Sequence, residues 1–126
     1  MLFTFPKLQN MQGLSEQALS QVAQYFSALA EPSRLRILNY LREGEKNVGE
    51  LAEACGCSQA NVSRHLSTLA KHGLVAREGR GTSVFYRIAD PGIYALCDLV
   101  CGNVAKQLEN QAALLQVMST PKTKQK

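Results

Sequence analysis

A chain of 126 residues, 45% of them hydrophobic, has the length and apolar content of one domain with a modest core. Its net charge of +4 is unevenly laid out: residues 58–88 hold Arg64, Lys71, Arg77, Arg80 and Arg87, with His65 and His72, against Glu78 alone, so a polyanion would meet the protein there. No apolar run reaches the roughly 18 residues of a membrane span, and the start, MLFTFPKLQN, lacks the charged lead-in of a secretory signal. The expectation is a cytoplasmic protein whose four cysteines are reduced thiols, ligands or sensors rather than structural disulfides.

Residues 1–14 read as an N-terminal arm, 15–118 as the working domain, and 119–126, which include PKTKQK, as a disordered basic tail without apolar periodicity. Within the domain, Leu19, Val22, Phe26 and Leu29 recur at helical spacing. Pro32 then stands where a first helical turn tolerates it, ahead of Leu35, Ile37, Leu38 and Leu41. Asn47 is placed to cap a short third helix bearing Val48, Leu51, Ala52 and Cys55, which Gly56 ends with a left-handed residue. Ser58 caps a fourth helix striped by Val62, Leu66 and Leu69 and stopped at Gly73.

Two short helices around a glycine turn, followed at once by the basic block, are the layout of a helix-turn-helix. With the apolar stripe inward, 100 degrees per residue turns Ala60, Arg64, Ser67 and Lys71 outward, with Ser63 and Thr68 at the edges. Gln59 and Ala60 occupy the first turn, the end that reaches base edges in a major groove. Gln suits adenine, Arg suits guanine or phosphate, and small residues permit close approach. His65 joins this DNA-binding set as a polar residue of the same helix. A solvated amphipathic helix is the alternative, but it would not need the turn, the small outward residues and the basic balance together.

After Gly73, LVAREGRGTSVFYRI reads as two strands around EGRGT, a basic hairpin whose Arg77 and Arg80 contact phosphates or the neighbouring minor groove rather than bases, ordinary surface charge being the alternative for either. A last long helix opens at Asp90-Pro91. The fold expected is mainly α with a small β-hairpin, a winged helix-turn-helix of order α-α-α-α-β-β-α. No phosphate loop, nucleophile paired with a base or pair of carboxylates at useful spacing points to an enzyme.

The segments ALAEPSRLRILNYL and VGELAEACGCSQANVSRHLSTLAKHGLVAREGRGTSVFYRI, with the long last helix, resemble the ArsR/SmtB winged-helix repressors of bacteria over roughly residues 20–110. The resemblance implies a homodimer through the first and last helices, bound to an imperfectly palindromic double-stranded operator with two recognition helices about 34 Å apart. It also implies repression of metal- or thiol-stress genes, relieved by an inducer; DNA binding itself requires no cofactor. The thiol cluster that arsenic sensors of this family carry in the third helix is replaced here by Asn47, Gly49 and Ala52. Of the Asp-x-His and His-x-x-Glu ligands of the zinc and cobalt sensors, Asp90 survives, whereas Gly92, Asn103 and Lys106 stand near the other positions. With His65 and His72 the only histidines, a histidine-rich zinc site is excluded by count.

Thiol chemistry remains. Cys55 and Cys57 read first as small hydrophobes packed in the core, with a metal-binding CxC pair as the weaker alternative. Cys97 and Cys101 share an apolar face with Ile93, Leu96, Val100, Val104 and Leu108 and have two readings of equal standing. Either they pack, or, with Cβ atoms about 5–6 Å apart at i and i+4, they clamp one thiophilic ion such as trivalent arsenic or a heavy metal. A redox or persulfide sensor using the same pair, and a constitutive repressor with packing cysteines, are the other possibilities.

Overall fold

The computed structural model describes residues 10–119. Most of the expected arm (1–9 of it) and of the basic tail (120–126) therefore lies outside the described residues. The chain divides into two units, one running to Ala89 and one from Asp90.

The first unit opens with α1 (Glu16–Leu29), whose N-cap Ser15 accepts a hydrogen bond from the Ala18 amide at 3.1 Å. Helix α2 (Pro32–Leu41) follows after a two-residue corner. Pro32 occupies its first turn, where no amide is missed, and the Glu31 carboxylate caps it by accepting from the amides of Ser33 (2.7 Å) and Arg34 (3.1 Å).

A two-residue strand, β1 (Lys46–Asn47), leads directly into α3 (Val48–Cys55). Asn47 and Glu50 form a reciprocal capping box: the Glu50 amide donates to Asn47 Oδ1 at 2.8 Å and the Asn47 amide to Glu50 Oε1 at 2.9 Å. Gly56, at φ +68°, ends the helix in the left-handed conformation that a residue without Cβ adopts freely, and the Cys57 amide returns to the Ala52 carbonyl. Ser58 then caps α4 (Gln59–Lys71) through the Asn61 amide at 3.1 Å.

Strands β2 (Val75–Arg80) and β3 (Ser83–Ile88) pair antiparallel from Val75↔Ile88 to Arg80↔Ser83, leaving Gly81 and Thr82 as a two-residue turn. The expected hairpin is thus part of a three-stranded sheet of order β1-β3-β2, because Lys46 and Asn47 pair with Tyr86 and Phe85. The unit's core is Ala28, Leu29, Ile37, Leu38, Leu41, Leu51, Ala52, Val62, Leu66, Leu69, Leu74, Val75 and Tyr86. Phe26 and Leu35, placed on apolar stripes by their spacing, are exposed.

The second unit is built on α5 (Gly92–Met118), 27 residues long. Its start is steadied by Asp90, whose carboxylate accepts the Gly92 amide at 2.9 Å. Ile93 is its buried residue, while Leu99, Val100, Val104, Leu108, Leu114 and Leu115 are exposed. No described helix is long and apolar enough to cross a membrane.

Candidate nucleic-acid interface and thiol positions

Helix α4 is held by the zero-exposure side chains Val62, Leu66 and Leu69, with Leu51 of α3 equally buried. That stripe fixes the rotation of the helix about its own axis, and so decides which residues look out. Gln59, Ala60, Ser63, Arg64, Ser67 and Lys71 are all exposed, as the helical period requires. Arg64 is steadied by its Nη2 donating to Asn61 Oδ1 at 2.7 Å, and Thr68 Oγ1 donates back to the Arg64 carbonyl. The face is small and polar at its N-terminal end and cationic towards Arg64 and Lys71, which suits close approach to base edges followed by phosphate contact.

His65 departs from the expected set. It is buried, 7% exposed, on the inward side of α4, and its ring meets Arg34 and Glu31 rather than solvent. The ring is turned to the interior rather than to the exposed face of α4. The pattern itself carried the signal: 62, 65, 66 and 69 are i, i+3, i+4 and i+7, one helical stripe with histidine as its polar member.

On the wing, Arg77 and Arg80 are both exposed, in different circumstances. Arg80 forms a two-pronged pair with Glu45 (2.6 and 2.9 Å), reaches Glu78 at 3.1 Å, and stacks its guanidinium 4.7 Å from the Phe85 ring centroid. The hydrogen bonds from Arg80 hold the Glu45 carboxyl below its ordinary range, and those partners raise the affinity of Arg80 for its proton. Arg80 therefore meets phosphate only in competition with two carboxylates. Glu78 also lies 3.6 Å from Arg87.

An open groove of about 420 Å³ lies where the starts of α3 and α4 face the wing turn, lined by Asn47, Gly49, Gln59, Ser63, Thr82 and Ser83 among others. Its polar donors are uncharged. Thr82 and Ser83, two hydroxyls at the wing turn that the sequence did not single out, also line this groove.

The four cysteines stand outside any disulfide. Cys55 and Cys57 are half-buried, and Cys57 Sγ donates to the Cys55 carbonyl at 3.6 Å. Burial pushes the Cys55 thiol up, Cys57 beside it adds to the effect, and Arg36 opposes it. A thiol whose charged form is disfavoured in this way is a poor nucleophile. On α5, Cys97 is half-buried and Cys101 exposed, one turn apart. Among the described residues no group of three His, Cys, Asp or Glu converges as a metal site.

Comparison with known proteins bears on the family and the fold. Residues 31–77 match the family model of bacterial regulatory proteins of the arsR family. The HTH-type transcriptional regulator NmtR of Mycobacterium tuberculosis is 45% identical over 85 residues, 68% of this chain and 71% of that one. The homodimeric winged helix-turn-helix DNA-binding domain of Mb0332 from Mycobacterium bovis superposes with a TM-score of 0.68 at 37% identity, covering 79% of this chain and 95% of that one. The AntR antimony-specific transcriptional repressor does so with a TM-score of 0.66 at 28% identity, over 86% of this chain and 99% of that one.

Proposed function

The chain belongs to the arsR family of bacterial regulatory proteins, and we propose that it is a sequence-specific transcriptional repressor, a homodimer that leaves its operator when a thiophilic ion binds Cys97 and Cys101. The observation that carries the DNA-binding half is the division of α4 into a fully buried stripe and an exposed face of Gln59, Ala60, Ser63, Arg64, Ser67 and Lys71. Gln59 and Arg64 read bases, while Lys71, Arg77 and Arg80 position the duplex through phosphates. Two copies of the chain, as in the homodimeric relative, present two such helices to an imperfect palindrome.

The inducer half rests on the two thiols one turn apart on α5, of which Cys97 is half-buried and Cys101 exposed. Their spacing holds two sulfurs within reach of one soft ion but opposes a disulfide, which requires Cβ atoms about 3.5–4.5 Å apart. Arsenous acid condenses with both thiols, forming two As–S bonds and releasing two waters. The third position on arsenic keeps a hydroxyl, or a methyl group in methylarsenite. That a similar protein is an antimony-specific repressor supports a trivalent group of this kind. Ligation draws the thiols together and shifts the packing of the dimer helices, which moves the recognition helices off operator spacing. The ion works as an inducer because it binds the DNA-incompetent arrangement more tightly.

The test is fluorescence anisotropy of a labelled duplex from the protein's own promoter, in reductant, titrated with arsenite and methylarsenite. Release from wild type but not from Cys97→Ser/Cys101→Ser is the expected result. Release by oxidant alone would move the pair to redox or persulfide sensing, and release by neither would leave a repressor whose cysteines only pack.

A further inference from the structure

Apart from Tyr86 with its hydroxyl, His65 is the one buried polar side chain among the described residues, and it sits on the helix that carries the exposed candidate DNA-facing residues while pointing away from them. Its Nδ1 lies 3.2 Å from Nη1 of Arg34, and its Nε2 lies 4.0 Å from Oε1 of Glu31. The rest of the Arg34 guanidinium is spent on the end of α1: Nε donates to the Ala28 carbonyl at 2.6 Å and Nη2 to the Ser27 carbonyl at 3.4 Å. Arginine only donates, so Nδ1 must be bare, and the single proton of the neutral ring belongs on Nε2, towards Glu31. One side chain thereby ties the last turn of α1, the first turn of α2 and the middle of α4.

We propose that the Arg34–His65 hydrogen bond is the lock that seats the recognition helix against α1 and α2, and that protonation of His65 opens it and weakens DNA binding in acid. His65 is on this account a positioning residue for the interface, and the inference rests on the DNA-binding reading of α4. A proton added at Nδ1 turns the acceptor into a donor that faces a guanidinium; the hydrogen bond is lost and two cations are left in contact.

The groups that face the ring decide the sign. Burial disfavours its charged form most, Glu31 from α2 favours it, and Arg34 from α2 with Arg64 on α4 itself disfavour it; α1 contributes backbone carbonyls through Arg34. The balance holds His65 below its ordinary value of 6.5. A histidine depressed in the folded state contributes stability that is complete above the unfolded value of 6.5 and is lost as pH falls through the folded one.

The experiment measures affinity for the same promoter duplex from about pH 8 to about pH 5.5 at constant ionic strength, the range over which histidine titrates. Wild type is compared with His65→Asn, whose amide oxygen replaces Nδ1 as acceptor without titrating. Wild type should weaken roughly tenfold on acidification, whereas the affinity of His65→Asn, referred to its own value at high pH, should not fall. Equal weakening of both proteins, or none in wild type, overturns the lock. If His65→Asn fails to fold, the His65 ring is followed by NMR in wild type with and without duplex. DNA should move its titration further down, and an unmoved midpoint overturns the proposal. If wild type binds the duplex at no pH, the DNA-binding reading fails by itself, and thermal unfolding decides the lock: a midpoint that does not fall below pH 6.5 refutes it.

Discussion

Helices α4 and α5 solve opposite problems. The first is 13 residues long and buries Val62, His65, Leu66 and Leu69, so the chain itself fixes how it is turned and which side chains it shows. The second is 27 residues long, buries Ile93, and leaves Leu99, Val100, Val104, Leu108, Leu114 and Leu115 in solvent. Apolar side chains at that density on one helix are the composition of an interface rather than of a solvated surface. On the proposed function, a reading element is finished within one chain, whereas the element assigned to regulation keeps an apolar face for a second copy.

The contrast breaks most heavily at Leu66. Leu66→Ala removes a fully buried side chain from the floor of α4 and should lower unfolding stability by about 2–5 kcal/mol in urea titration. A loss below about 1 kcal/mol would mean that the floor is not packed as described. Val104→Glu should behave in the opposite way, because the side chain is 46% exposed in the single chain. Far-UV circular dichroism should be unchanged, while sedimentation should show monomers and operator affinity should fall by more than about tenfold, two half-sites no longer being bound together. Persistence of the dimer would assign the exposed stripe to something other than self-association. The smallest effect sharpens the wing. Glu45→Gln releases Arg80 from its two-pronged pair, so DNA binding should tighten a few-fold and the salt dependence should steepen by about one counterion. No change would place Arg80 outside the phosphate contacts.

Most of the helix-turn-helix was legible because its punctuation is local. Pro32 in a first turn, Asn47 and Ser58 as caps and Gly56 as a left-handed stop each act within a few residues, and each stands where the spacing put it. The hairpin was legible for the same reason, through glycines at a turn between alternating residues. What escaped depends on contacts distant in sequence. Strand β1 is two residues long, too short to have a period, and exists because Phe85 and Tyr86 pair with it. Glu45 and Arg80 are 35 positions apart, and Arg34 and His65 are 31 apart. His65 shows how a rule can be applied incompletely: residue type suggested a DNA contact, while the helical period already placed the ring inward.

Asn47 belongs at once to the sheet, opposite Phe85, and to the first turn of α3, whose capping box it completes. With one residue in both roles there is no linker between wing and helix-turn-helix, and inheritance should record that. Insertions and deletions are more tolerable in the two-residue wing turn, where the chain reverses at the surface. Between Lys46 and Val48 a single added or lost residue would rotate the strand's faces and remove the cap in the same event, so that junction should keep its length while its neighbours drift.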